Sequence, residues 1–324
     1  MKDACQNCNQ DDYVTLYHAP AFDVANAVTK RYFDIARCQY CNLVTTVNAR
    51  PDDIAAAYAN EYYGSASRKF SSSIENILEM LAKHRALKIV TQWQEQRGTS
   101  KSPTVLDIGC GRGIMLRAFQ TLGADVTGIE RRGFPLDHTI RDLVHIGTLS
   151  DPELAGQRFD IVILWHVLEH IPGSETLLEE ITSHMSDNGL LVIAVPNFDS
   201  WQRRLFGAFW FHLDLPRHVI HFEPVRLTSC LENFKLRIEN ISYFEPVQAV
   251  YGFLQSVFNT LMPSRLNECY TLLKHGDPNP HKKWLLAFWM PLGALLLPFA
   301  CIESLLAAIF HKGATFVVAA RLEK

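Results

Sequence analysis

Residues 104–113, TVLDIGCGRG, decide how the rest of the chain is read. A short β-prone run ends near Asp107, glycines follow at positions 109, 111 and 113, and the chain passes straight into the helical run IMLRAFQTLG. The dinucleotide fingerprint G-x-G-x-x-G is not met, because the position after Gly113 is Ile114 and the glycines fall at every second residue. An acidic residue ahead of such a turn would repel a pyrophosphate. It suits a ligand that carries an ammonium and a sulfonium.

Beyond this turn, β-rich and helical runs alternate. Strands are predicted at Thr104–Ile108, Asp125–Glu130, Leu143–Ile146, Phe159–Trp165 and Leu190–Val195, with helices at Ile114–Leu122 and Glu175–Met185. Alternation of this kind makes an α/β fold, a parallel sheet with helices on both faces, and such sheets gather ligands at the carboxyl ends of their strands.

The stretch VLDIGCGRG resembles motif I of class I S-adenosylmethionine-dependent methyltransferases, whose backbone wraps the methionine end of that cofactor. The resemblance implies a Rossmann-like, seven-stranded, mostly parallel sheet. It implies cofactor contacts at Asp107, Gly109, Gly111 and Gly113, and a second carboxylate, Glu130 at the end of VTGIE, that accepts both ribose hydroxyls. Cys110, Leu149, Trp165 and His166 complete the residues expected to touch the cofactor.

HVLEH, residues 166–170, also matches the His-x-x-Glu-His of inverted zinc proteases. That chemistry needs both histidines on one helical face. Here the motif follows the apolar strand FDIVILW and is closed at once by Ile171-Pro172, so a zinc hydrolase is a remote alternative. The segment is similar instead to the one after strand four in small-molecule O-methyltransferases, including the quinone-biosynthesis group. His166 stands where that group has its first glutamate, which leaves Glu169 and His170 as the polar groups facing the acceptor.

Further histidines follow in VPNFDSWQRRLFGAFWFHLDLPRHVIHFEP, namely His212, His218 and His221, with Asp214 and Arg217. This segment is similar to the acceptor region of methyltransferases from bacterial surface-polysaccharide clusters, which share a PN...W...PRH..HF pattern. Polysaccharide biosynthesis is the setting that this implies. Trp201, Trp210 and Phe211 are expected to stack on a sugar or isoprenoid, and His170 or His218, with Glu169, to act as general base on the hydroxyl.

Cys5-Gln-Asn-Cys8 and Cys38-Gln-Tyr-Cys41 form two Cys-x-x-Cys knuckles, a zinc-ribbon pattern. Four thiolates close a structural site around Zn2+, and a segment with few large apolar side chains needs such a staple. The start MKDACQNCNQDD has no apolar signal region, so a cytoplasmic, reducing location is expected, possible docking on the inner face of the membrane aside. With 324 residues, 48% of them apolar, and a formal charge of -3, the chain can bury a sizeable core, and nucleic acid is not an expected partner.

Residues 284–302, WLLAFWMPLGALLLPFACI, carry no charge and follow Lys282-Lys283. Length alone would let them cross a bilayer. The final GATFVVAARLEK, however, is a strand that the sheet needs beside Leu236–Phe244, so the intervening residues read as a membrane-seeking helical hairpin bent by its prolines, with a homodimer interface or a cap over the acceptor pocket as alternatives. The expected organisation is a zinc ribbon (1–50), a helical connector (51–100), a methyltransferase core (101–246), an apolar insertion (247–312) and a last strand (313–324). The expected activity is methylation of a glycan, lipid-linked or other small-molecule hydroxyl. A noncatalytic glycan-binding protein on a vestigial fold is the rival reading, opposed by an intact Asp107, glycine turn and Glu130.

Overall fold

A computed structural model describes residues 4–5, 7–21, 32–58, 70–130, 136, 138–273 and 284–323, without the Trp284 side chain. In chain order the strands are β1 (Tyr13–Pro20), β2 (Tyr32–Cys38), β3 (Val44–Val47), β4 (Thr104–Ile108), β5 (Asp125–Glu130), β6 (Val144–Ile146), β7 (Phe159–Trp165), β8 (Met185–Pro196), β9 (Ile220–His221), β10 (Leu236–Ser242) and β11 (Thr315–Leu322). The helices are α1 (Pro51–Ala57), α2 (Ser72–Arg97), α3 (Ile114–Thr121), α4 (Ser174–Ser183), α5 (Trp201–Phe206), α6 (Pro224–Asn233), α7 (Pro246–Leu261), α8 (Glu268–Leu273) and α9 (Trp284–Ile309).

β4 to β8 and β10 to β11 form a seven-stranded sheet in the order β10-β11-β8-β7-β4-β5-β6. It is parallel from β8 through β6, while β11 runs antiparallel to both its neighbours, as the C-terminal sequence led us to expect. Its central strands are apolar on both faces: Ile161 to Leu164 of β7 and Leu191, Ile193, Ala194 and Val195 of β8 have no exposure to speak of. β6 starts one residue late, because Leu143 belongs to a 3-10 turn, and β8 starts early, at Met185, where the sequence read helix.

The residues expected to form a connector do more than connect. In sequence, Ile74, Ile77, Leu78, Leu81, Leu87 and Ile89 fall at near-helical spacing from Ser73 to about Gln96 and predict the apolar face of α2; Ile77 and Leu87 are exposed, however, and the buried stripe is Ala82, Ala86, Ile89, Val90 and Trp93. Those two alanines let α2 approach α3, where Met115, Leu116 and Phe119 complete the cluster. The stretch PDDIAAAYANEYYG, residues 51–64, opens with a proline and reads in sequence as one short helix; its residues 59–64 lie outside the described residues. Helix α1 ends at Ala57 and the described part at Tyr58.

The N-terminal region does not stop at residue 50 as a self-contained module. Its sheet has the order β1-β2-β3-β9, and its fourth strand comes from the histidine-rich segment far along the chain, with Val44 opposite His221 and Thr45 opposite Ile220. Strand β3 would otherwise leave a ladder of backbone groups unpaired. Ala19, Phe33, Ile35 and Val44 pack on Phe198, Trp210, Leu213 and Leu215 of the same distant segment.

The C-terminal insertion lies between β10 and β11. Pro291 and Pro298, expected to set a bend between two short helices, lie inside the single helix α9. The hairpin partner is α7, with Phe258 and Trp289 rings 4.4 Å apart. Lys282 and Lys283 lie outside the described residues.

Candidate active site

A cavity of about 1040 Å³ lies at the carboxyl ends of β4, β5 and β7. Part of its wall is Ile108, Gly109 and Gly111 from the turn after β4, with Ile129 and Glu130 from β5. The turn is held by Gly109 and Cys110 N–H groups donating to the Ile129 carbonyl, at 2.8 and 3.2 Å. Gly109 has φ +68°, and a Cβ there would come within 2.6 Å of Val167 Cγ2, so this position needs glycine for both reasons. At Gly111, φ is +53° and a Cβ would meet nothing within 4 Å, so this backbone faces open space. The Gly111 N–H donates to Glu130 Oε2 at 2.8 Å.

Asp107 is buried at the end of β4. Burial, and then the charge of Glu130, push its carboxyl up to about 8. Two acids held this way fit a cationic ligand, whose charge would offset what now opposes ionisation of Asp107. Leu149 and His166 line the same cavity. Asp107, Cys110, Gly113 and Trp165, which the sequence reading also placed on the cofactor, are not in its lining; Asp107 lies buried behind it, one residue before Ile108. The Cys110 thiol turns towards Gly128, a Cβ at Gly113 would strike Ile140, and the Trp165 ring lies 4.9 Å from the Arg85 guanidinium.

After β7 the chain enters HVLEH. His166 has φ +56°, and a 3-10 turn, Leu168–His170, follows it. His166 Nε2 and Glu169 Oε2 are buried without a hydrogen-bond partner among the described residues, polar atoms of the kind that a ligand satisfies. His166 Nδ1 is 3.3 Å from Glu169 Oε1. Burial raises the Glu169 carboxyl, but the bond from His166 and the nearby His170 and His218 outweigh it and hold it near 2.

His218 reaches this cluster from the other segment. The Val219 N–H donates to the Glu169 carbonyl at 2.9 Å, which joins the two segments through the backbone. The His218 Nδ1 contacts the His212 carbonyl at 2.9 Å, and a carbonyl only accepts, so Nδ1 carries the proton and Nε2 has the lone pair. That Nε2 lies 3.9 Å from Glu169 Oε1 and 3.8 Å from Asp214 Oδ2. Burial, and then His170, depress His218 to about 4, so the ring is neutral at ordinary pH. His170 stands against it, rings 4.6 Å apart, with its Nδ1 2.8 Å from the Tyr58 hydroxyl and 3.1 Å from the Arg217 carbonyl. Ligand atoms of Glu169, His170 and His218 all lie within 4.8 Å of one another, so the trio can also hold a divalent cation.

His212 and His221 are buried, and burial lowers both to about 3; His212 also lines the cavity, with its Nε2 on the Gln248 carbonyl at 3.1 Å, whereas His221 does not line it. Of the aromatics expected at the acceptor, Phe211 lines the cavity, whereas Trp210 is fully buried and Trp201 lies 5.4 Å from Phe310, outside the lining. Tyr58, Phe70, Tyr251 and Tyr270 line it as well, from parts of the chain that no motif marks.

The chain is matched over residues 68–241, just over half its length, by the family described as methyltransferase domain. This is a class I S-adenosylmethionine-dependent methyltransferase. The methyltransferase is 25% identical over 209 residues to the ubiquinone biosynthesis O-methyltransferase of Coxiella burnetii, covering 58% of this chain and 89% of that one. It is 26% identical over 167 residues to the enzyme of the same name from Histophilus somni, covering 46% and 70%. Among solved structures, it is similar to the 1,6-didemethyltoxoflavin-N1-methyltransferase of Burkholderia thailandensis, with TM-score 0.47 and 16% identity over 94% of this chain and all of that one.

Four of the eight cysteines of the methyltransferase also come together. Cys5 and Cys41 sulfurs are 3.5 Å apart, as are those of Cys8 and Cys38, and all four lie within 4.8 Å of one another. A tetrahedron with ~2.3 Å metal–sulfur bonds has edges of roughly 3.8 Å. Both knuckles use the same turn, with Asn9 donating to the Cys5 carbonyl and Asn42 to the Cys38 carbonyl, each asparagine at φ near +60°. The donor set and its geometry fit Zn2+.

Proposed function

We propose that this methyltransferase transfers the methyl group to a hydroxyl of a largely apolar small molecule, phenolic or lipid-linked, with His218 as general base. The observation that carries this reading is the His218 imidazole: neutral, with Nδ1–H fixed on a carbonyl and its Nε2 lone pair beside Glu169 and Asp214. S-adenosylmethionine, when bound, supplies a methyl group on a positively charged sulfur.

Gly109, Gly111, Glu130, Leu149 and His166 would hold the donor, with Asp107 ionised beneath them. A hydroxyl held at His218 gives up its proton to Nε2, and the imidazolium that results lies between two carboxylates held ionised, their pKa values below the usual range. Phe211, Tyr251 and Tyr270, whose rings contact one another edge-on or tilted, offer an aromatic wall for a ring or polyprenyl chain. The likeness to enzymes named for ubiquinone O-methylation supports a phenolic acceptor over a sugar.

The test is incubation with methyl-labelled S-adenosylmethionine and a panel of polyprenyl phenols, catechols and lipid-linked sugars. Label in an alkali-stable ether on a hydroxyl, lost in His218→Gln, is expected. Label on nitrogen or carbon, or full activity in the variant, would refute the reading.

A further inference from the structure

Helix α9 has two faces of different kind. Leu285, Trp289, Ala300, Ser304 and Ala307 are buried, at the spacing of one stripe along the whole helix. The opposite side exposes Phe288, Leu295, Phe299, Ile302, Leu305 and Ile309. Glu303 is the only charged residue from Leu285 to Phe310, and it is turned inward, accepting from Gln202 Nε2 at 2.8 Å. A helix of 26 residues is about 39 Å long, long enough to cross a bilayer. Yet a helix seated lengthwise on its own domain offers lipid one side only. This is the geometry of a helix lying in the plane of a membrane.

What covers that side follows from its chemistry. Surfaces that meet another protein carry a polar rim around an apolar centre, and no charged side chain interrupts the exposed side of α9. In the sequence Lys282-Lys283 precede the helix, outside the described residues. Basic side chains stand beyond the C-terminal end of α9, where Arg204 and Lys312 are both paired with Asp199. Trp201 lies against Phe310 at that end, an amphipathic ring of the type that sits at headgroup depth.

We propose that α9 docks the methyltransferase on an anionic lipid leaflet, lying in its plane with the exposed side in the acyl boundary and Arg204 and Lys312 among the headgroups. The docked helix is one helix away from the acceptor cavity: α7 packs on α9 through Phe258 and lines the cavity through Val247, Gln248 and Tyr251.

Flotation of the full chain with phosphatidylcholine vesicles, with and without phosphatidylglycerol, tests this without donor or acceptor, so its outcome is separate from that of the proposed methyl transfer. Binding to the phosphatidylglycerol vesicles is expected, weakened by salt and by omission of the charged lipid. The triple variant Leu295→Ser/Ile302→Ser/Ile309→Ser should lose roughly tenfold or more in binding while keeping its S-adenosylmethionine affinity. Should that variant fail to fold, Arg204→Glu alone should weaken binding several-fold. Absence of the wild type from both vesicle fractions, equal partition into both, or unchanged binding in these variants would overturn the proposal. So would a dimer dissolved by the triple variant in a protein that ignores vesicles, since a second copy would then cover the helix.

Discussion

Thr46, in the N-terminal sheet, is bonded twice to the segment that carries His218: its hydroxyl donates to the His218 carbonyl at 2.7 Å and accepts from His221 Nε2 at 2.9 Å. The Thr46 N–H donates to the Val219 carbonyl at 3.0 Å as well. The cysteine cluster and the proposed base are therefore joined through one short strand.

Thr46→Val should leave a buried carbonyl and a buried imidazole N–H without partners, at a cost of about 1–3 kcal/mol each. A lower denaturant midpoint and a reduced kcat are expected, with S-adenosylmethionine affinity unchanged. Thr46→Ser keeps the hydroxyl and should restore both. Loss of cofactor affinity in the valine variant would mean that the effect is a general collapse.

Removal of metal should act through the same strand. A chelator strong enough to strip zinc, or Cys38→Ser, is expected to release the knuckles and loosen β1 to β3. Metal analysis by mass spectrometry, together with hydrogen exchange at β3 and β9, would follow this. Unchanged exchange at β9 after metal loss would break the link.

For His218, substitution by Gln should lower kcat by ~10²–10⁴-fold and leave donor binding alone. The wild-type acidic limb should lie near pH 4, where burial places this histidine, well below an ordinary imidazole. A limb near 6.5 would point to another base.

Asp107 bears on the donor. Its folded value, about 8, is raised above that of an ordinary carboxyl, so this group favours the fold at low pH and that contribution is lost as pH rises through about 8. A cationic donor favours the ionised form. Affinity for S-adenosylmethionine, measured by calorimetry, should tighten by up to tenfold per pH unit from 6 to 8 and then level off. Asp107→Asn should bind weakly with a flat profile.

The buried histidines pull the other way. His212, His218 and His221 have folded values depressed to about 3 or 4, so the stability they contribute is present above the unfolded value of ~6.5 and lost as pH falls below it. Each should remove about 1–2 kcal/mol between pH 7 and 5, more in sum than Asp107 restores. Denaturant melts at the two pH values check the sign.

β4, β5, β7 and β11 could be read directly, because a strand buried on both faces is a continuous apolar run and a glycine turn has its own spelling. Trp210 was misread for a reason that lies elsewhere in the chain. It appears free to stack until β1 and β2 are packed over it through Ala19, Phe33 and Ile35. Thr46 had no signal at all, since a threonine in a strand gains its role only when pairing brings in residues more than 170 positions away. Tyr251 and Tyr270 were hidden likewise, in a helical insertion read for its greasiness. The alanine stripe of α2 escaped because periodicity weighs large side chains, and here small ones made the contact.

The stretch between α9 and β11 is pinned throughout. The Trp201 N–H holds the Lys312 carbonyl, Asn197 holds the carbonyls of Gly313 and Ala314 through its side chain and backbone, and a Cβ at Gly313 would strike the Tyr243 carbonyl. Beyond it, β11 is gripped by β8 and β10. With no slack at this joint, α9 cannot swing like an arm on a tether. Whatever it rests against would fix the tilt of the whole catalytic body, and so the direction in which the cavity mouth is aimed.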